Sequence, residues 1–224
     1  MSISYEQPRL FIDGQWLLGD GRRVEPVIDP ATGHTLAELP HASQADLDHA
    51  LAAAARAFPT WRTTAPLERG SLLRHAANLL RERADAIAIQ TTLEQGKPVR
   101  EAKLELLASA DTFDWYAEEG RRTYGRIVPG RHIGHRISVL HEPVGVVAAF
   151  APWNFPAVTP ARKIAGALAS GCTLILKPSE ETPNTALALA RALHDAGLPA
   201  GVLNIVFGVP PEVSEYLDRK STRL

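Results

Sequence analysis

From Pro143 onward the chain repeats one unit, a short apolar run followed by a segment with helical spacing. Val144 to Phe150 reads as a strand, Ala157 to Ala169 as a helix stopped by Gly171, and Thr173 to Leu176 as a second strand. A helix follows with Thr182 as N-cap and Pro183 at its first position, closed by Gly197 and Pro199. Leu203 to Phe207 forms a third strand and leads into a last helix from about Pro211. Neighbouring parallel strands require crossover helices, and strands covered on both faces are apolar throughout. The alternation therefore restricts the chain to an α/β fold with a doubly wound parallel sheet.

The sequence before this repeat has a different character. Leu10 to Trp16 predicts two short strands about an Asp13-Gly14 turn, and Pro30-Ala-Thr-Gly33 predicts another turn. Ser43 with Asp46 forms a capping box, and Leu47, Ala50, Leu51, Ala54 and Phe58 follow on one helical face. A longer helix is predicted from Pro66, carrying Leu73, Ala76, Leu80, Ala84 and Ile87 inward until Gly96 stops it. Pro98 opens a further helix through Leu104, Leu107 and Trp115 that ends near Gly120. Residues 1–122 thus read as an N-terminal helical part and 143–218 as a βαβαβ part. Residues 123–142, Gly- and Arg-rich with short β-like pieces, read as an arm or edge between them.

Composition narrows the ligand class. With 24 basic and 25 acidic residues the formal charge is −1, so no strong field draws the chain to nucleic acid or anionic lipid. The single cysteine, Cys172, excludes an intramolecular disulfide and a zinc cluster, which suits a reducing cytoplasm, and the histidines are scattered without metal-ligand spacing. No apolar run is long enough to span a membrane, and the first residues do not resemble an export signal. A small, nearly neutral ligand fits best.

In open α/β sheets ligands bind beyond the carboxyl ends of the strands. Three such ends are visible here. The first carries Ala151-Pro-Trp-Asn-Phe-Pro156, the second Lys177-Pro-Ser-Glu180, and the third Gly208. Glu180 is the residue type that accepts hydrogen bonds from a ribose 2′-hydroxyl and repels a 2′-phosphate, which favours NAD over NADP; an acid at a helix N-terminus is its other reading. No Gly-x-Gly-x-x-Gly follows any strand, which argues against a Rossmann alcohol or sugar dehydrogenase.

The same residues carry a resemblance. Pro143-Val-Gly-Val146, Pro152-Trp-Asn-Phe-Pro156, Lys163, Gly171, Lys177-Pro178, Glu180, Thr182-Pro183, Ala196-Gly197, Asn204-Ile-Val206 and Gly208 match, in order, the pattern of aldehyde dehydrogenases. Leu93-Glu-Gln-Gly-Lys-Pro98, Ala117-Glu-Glu-Gly120 and Tyr124-Gly125 agree, so the likeness runs from about Leu10 to Asp218. It implies oxidation of an aldehyde to a carboxylate with hydride transfer to NAD, in a homodimer or homotetramer built partly by the 123–142 arm. It also implies that the amide of Asn154 hydrogen-bonds the oxyanion formed when a thiolate attacks the aldehyde. A preorganised donor of that kind contributes roughly 3 kcal/mol of transition-state stabilisation. A loop asparagine bonded to its own backbone is the alternative. By the same resemblance Lys177 and Glu180 hold the hydroxyls of the adenosine ribose, while Phe150, Ala151, Pro152, Trp153, Ser179 and Gly208 line the cofactor cleft; Gly208 is equally explained as a strand-exit glycine.

Arg162 is the one handle on the substrate. Family members that take semialdehydes with a distal carboxylate often have arginine at this place, where a guanidinium grips the carboxylate with two bonds; a surface or packing arginine is the other reading. The Leu-Glu-Gln-Gly-Lys-Pro and Ala-Glu-Glu-Gly stretches look most like succinate-semialdehyde dehydrogenases. Cys172, in Ser170-Gly-Cys-Thr at a strand start, does not match the family nucleophile and reads as a small core residue.

Three later features of the family are not found: a Gly-Ser or Gly-Thr turn against the pyrophosphate, a Glu-Leu-Gly-Gly run with the general base, and a Gly-Gln-x-Cys-type nucleophile. Residues 219–224 also leave the pattern, so a clipped or non-native tail is expected, together with an open strand edge, poor solubility and no activity from this chain alone. A noncatalytic nucleotide-binding or interaction module is the alternative from another class.

Overall fold

A computed structural model of the chain describes residues 5–221. The first two strands, β1 (Leu10–Ile12) and β2 (Gln15–Leu17), form the expected hairpin, with Asp13 and Gly14 both at positive φ in the turn. An antiparallel ribbon follows, β3 (Val24–Ile28) with β4 (Thr35–Pro40), around the Pro30–Gly33 turn; the sequence reading had found the turn but not the strands.

Helix α1 (Gln44–Thr63) starts at the predicted capping box, where Ser43 Oγ accepts from the Asp46 amide at 3.2 Å and Asp46 accepts from the Ser43 amide at 2.8 Å. The single helix expected from Pro66 to Gly96 is instead two, α2 (Pro66–Glu82) and α3 (Ala84–Gln95), joined at Arg83 with φ −97° and ψ 3°. The apolar spacing runs through this joint, so periodicity cannot reveal it. Gly96, at φ 84°, ends α3 as predicted. Helix α4 (Val99–Glu119) completes the helical part.

Strands β5 (Arg126–Pro129) and β6 (Arg136–Val139) make an exposed antiparallel hairpin. The repeat then proceeds as β7 (Val146–Phe150), α5 (Val158–Ala169), β8 (Thr173–Lys177), α6 (Pro183–Asp195), β9 (Leu203–Ile205) and α7 (Pro210–Ser221). Helix α7 includes the first residues of the suspected tail, and 222–224 lie outside the described residues.

The main sheet has the order β2-β1-β9-β8-β7. Its β7-β8-β9 portion is parallel, but β1 adds antiparallel to β9 through Phe11 and Ile205. The sheet is therefore mixed, and the open edge expected beside the third strand is closed by the N-terminal hairpin. The chain's first strands return to its last, where buried Phe11 pairs with Ile205 of β9 and Trp16 packs on Phe11 and on Arg191 and His194 of α6. The edges are β2 and β7, and Val146–Ala149 on β7 are only partly buried.

All five residues of β8 are buried, and covering Leu174, Ile175 and Leu176 stabilises the fold by about 1.5–3 kcal/mol each. Helix α1 covers one side, where Thr173 Oγ1 donates to Ala54 O at 3.0 Å. Helices α5 and α6 also pack on the sheet, and α2, α3 and α4 lie over them. Trp61 Nε1, at the end of α1, donates to Leu168 O at 3.2 Å, and buried Arg69 donates to Ala169 O at 3.1 Å, tying α1 and α2 to the end of α5.

Candidate cofactor and oxyanion site

Parallel pairing sets Phe150 beside Lys177 and Leu176 beside Ile205, so the three strands end side by side. The ladder continues one residue past each end, with Ala151 N donating to Lys177 O at 3.1 Å and Val206 N to Leu176 O at 3.0 Å. The loops that leave these ends are thus neighbours by construction.

Three of the predicted residues converge. Lys177 is buried, and its Nζ donates to Glu180 Oε2 at 2.6 Å and to Pro178 O at 3.2 Å. Glu180 Oε1 in turn accepts from the Gly208 amide at 3.1 Å, which links the second strand end to the third. Gly208 has φ 149°, and a Cβ there would meet Val213 Cγ2 at 3.0 Å. The positive φ favours glycine, and an added Cβ would also need the Val213 side chain to give by a few tenths of an ångström, which fits a strand-exit glycine as well as one that admits a ligand. Ser179 turns away from this cluster, its hydroxyl bonding the Glu181 carboxylate.

The loop after β7 holds the rest. Ala151 is buried, whereas Pro152, Trp153, Asn154 and Phe155 are exposed, as is Phe150 at the strand end. The side chain of Asn154 has no hydrogen bond to any described residue. The alternative of a loop asparagine satisfied by its own backbone does not describe it, and its amide N–H groups are free to donate.

Arg162 lies on α5 in a shallow depression of about 380 Å³ with Ala108, Asp111, Thr112, Trp115 and Tyr116. It is exposed, has no hydrogen-bond or ion-pair partner among the described residues, and shares its depression with none of the strand-end residues, which fits a surface arginine as well as a guanidinium open to a ligand. Asp111 shares the depression, but Arg81 holds it at 2.8 Å. Cys172 is buried, and no group of His, Cys, Asp or Glu among the described residues is arranged to hold a metal ion. No helix among them is long and apolar enough to cross a membrane.

Sequence reading missed two buried glutamates. Thr182 stands at the N-cap of α6 but makes no side-chain cap bond, contrary to expectation. Glu94 of α3 does that work instead, accepting from Asn184 N at 2.9 Å and Thr185 N at 2.8 Å, with Thr185 Oγ1 and the Tyr5 hydroxyl on the same carboxylate. Burial pushes its pKa up to about 7 against the opposing pull of these donors. At α5, whose N-cap is Ala157, Glu105 of α4 accepts from Ala157 N at 2.8 Å and Val158 N at 3.0 Å. Both caps come from distant helices, so no local spacing announces them.

Comparison with known proteins bears on this arrangement. The family model described as "Aldehyde dehydrogenase family" matches residues 16–222. The chain is 45% identical over 206 residues to succinate-semialdehyde dehydrogenase [NADP(+)] GabD of Escherichia coli, covering 92% of this chain and 43% of that protein. It is 43% identical over 211 residues to a glutarate-semialdehyde dehydrogenase of Pseudomonas putida, covering 94% and 44%. The crystal structure of succinate-semialdehyde dehydrogenase from Burkholderia pseudomallei superposes with a TM-score of 0.91 at 40% identity, over 95% of this chain and 44% of that one. The chain therefore spans less than half the length of these relatives.

Proposed function

Since the chain belongs to the aldehyde dehydrogenase family, we propose that it supplies the dinucleotide site and the oxyanion donor for oxidising a carboxylated semialdehyde to the corresponding diacid. The convergence of Lys177, Glu180 and Gly208 at adjoining strand ends, with Asn154 in the loop that leaves the neighbouring strand β7, carries this reading.

The residues fit a dinucleotide. An ammonium and a carboxylate 2.6 Å apart present a donor and an acceptor to vicinal ribose hydroxyls, and the glycine at 208 lets the backbone come close. When bound, the nicotinamide accepts a hydride. The protein's share is to anchor the dinucleotide by its adenosine ribose, and to meet the developing oxyanion with the Asn154 amide. Glu180 favours NAD: a 2′-phosphate would bring a second anion against a carboxylate already engaged by Lys177 and Gly208, whereas a 2′-hydroxyl donates to it. The E. coli relative named for NADP(+) makes this preference the point to test.

Arg162, exposed and unpaired among described residues, is assigned the distal carboxylate of the substrate, in keeping with the semialdehyde relatives. The exposed β5–β6 hairpin, bearing Ile127, Ile133 and Ile137, is assigned to pairing with a second copy.

The one cysteine is buried, which favours a second reading of this chain by itself as a cofactor-binding module without turnover. Titrating NAD and NADP into the purified chain while following tryptophan fluorescence, with an aldehyde-oxidation assay of the polypeptide that carries this segment in parallel, separates the two. NAD binding without turnover supports the module reading for this chain, NAD binding with turnover supports the enzyme reading, and no binding of either nucleotide rejects both.

A further inference from the structure

The loop carrying Asn154 is fastened from outside its own strand-loop-helix unit. Glu105 Oε1 takes the Ala157 and Val158 amides, and the other oxygen of that carboxylate pairs with Lys97 Nζ. From the turn between α3 and α4, Lys97 donates to Asn154 O at 3.4 Å and lies 5.0 Å from the centre of the Phe155 ring. Both side chains are nearly buried, Lys97 12% and Glu105 6% exposed. Two side chains of the helical part thus grip the loop at residues 154, 155, 157 and 158.

A comparison inside the molecule sets this apart from ordinary capping. Glu94 caps α6 with a carboxylate in the same way, but its remaining partners are hydroxyls, and among the described residues no cation extends from it to the preceding loop. At α5 the cap continues through Lys97 into the loop itself. Asn154 has no hydrogen bond from its own side chain among the described residues, so its direction is inherited from the backbone that Lys97 and Phe155 hold.

We propose that Lys97 and Glu105 are positioning residues for the Asn154 amide, fixing the direction in which it meets a developing oxyanion. This rests on the reading of Asn154 as the oxyanion donor. Such a donor works only when held in place before the charge appears, because reorienting it during the reaction costs what it would otherwise contribute. Lys97 sets the loop carbonyl, and Glu105 sets both Lys97 and the helix start.

The test introduces Lys97→Met, Lys97→Arg, Glu105→Gln and Asn154→Ala separately into the polypeptide that carries this segment, and measures aldehyde oxidation and cofactor binding. Gln at 105 keeps an oxygen for the two amides while removing the charge that holds Lys97. Lys97→Met and Glu105→Gln are expected to lower kcat by about tenfold to a hundredfold, with cofactor Kd within about twofold, and Lys97→Arg to restore most of the loss. In the 15N-labelled 224-residue chain, the side-chain amide resonances of Asn154 are expected to move in Lys97→Met and return in Lys97→Arg, while those of Asn184 stay. A purely structural role predicts a loss shared by kcat and cofactor affinity and unmoved Asn154 resonances in the folded fraction, and that result overturns the proposal. Normal kcat in both variants beside a large loss in Asn154→Ala removes this inference and leaves the donor reading standing. Normal kcat in Asn154→Ala removes both. Should Lys97→Met fail to fold, Glu105→Gln decides by the same criteria.

Discussion

The ammonium of Lys177 sits 2.6 Å from Glu180 Oε2, and the same carboxylate reaches across to accept the Gly208 amide through Oε1. One side chain therefore ties two strand ends together, and the pair is shielded from water, with side-chain exposures of 6% and 13%. Removing one member strands a charge, so a substitution at either position is expected to act on the frame as well as on a ligand bound there.

Glu180→Ser is expected to weaken NAD binding and leave NADP binding unchanged or improved, so that the ratio of the two dissociation constants moves toward one. The same variant should lose roughly 1–3 kcal/mol of unfolding free energy, since Lys177 keeps only a carbonyl partner. Parallel titrations and urea denaturation check both, and an unaltered ratio would sink the NAD assignment.

Asn154→Ala in the polypeptide carrying this segment should lower kcat by about 100- to 1,000-fold with little effect on cofactor affinity. Steady-state kinetics with cofactor binding measured separately is the check, and a parallel fall in both would place Asn154 in cofactor binding instead.

Arg162→Ala should raise KM for a semialdehyde with a distal carboxylate by at least about tenfold, as expected for losing a charged hydrogen bond, and leave an unbranched neutral aldehyde unaffected. Equal effects on the two substrates would remove its carboxylate role.

The buried Glu94 predicts a pH dependence. Its pKa is raised from 4.5 to about 7 in the fold, so between these values the folded state holds a proton the unfolded chain has released. Stability contributed by this group is then expected to decline as pH rises through that window. Glu94→Gln should flatten this segment of the stability profile, measured by denaturation at successive pH values. A profile identical to the parent's would mean that Glu94 is ionised throughout.

Gly201→Ala should cost about 2–4 kcal/mol, because φ is 81° and an added Cβ would lie 2.5 Å from Ala53 O on α1, a backbone atom. Chemical denaturation measures it, and a loss under about 0.5 kcal/mol would show that the α1-sheet contact can yield.

Much of the frame was legible because its causes are local. Apolar runs separated by helical spacing identify β7, α5, β8, α6 and β9, the Ser43–Asp46 box fixes the start of α1, and Gly96 marks the end of α3. The strand-end residues followed from the fold class, since loops leaving parallel strands meet at one edge. The break at Arg83 was not legible, because a joint of one residue leaves the apolar spacing undisturbed.

By itself the sequence determined where most of the helices and the β7, β8 and β9 strands form, that these three strands run parallel, and which residue types arrive at their carboxyl edge. Tertiary structure decided that β1 closes the edge beside β9, that Glu94 and Glu105 cap helices far away in the chain, and that Lys97 reaches the carbonyl of Asn154. The division follows the range of the forces. Backbone propensity and capping act over one or two turns, and neighbouring residues record them. A buried carboxylate chooses its partners by proximity in the folded interior, where an unsatisfied amide or charge is costly, and sequence separation has no bearing on that choice.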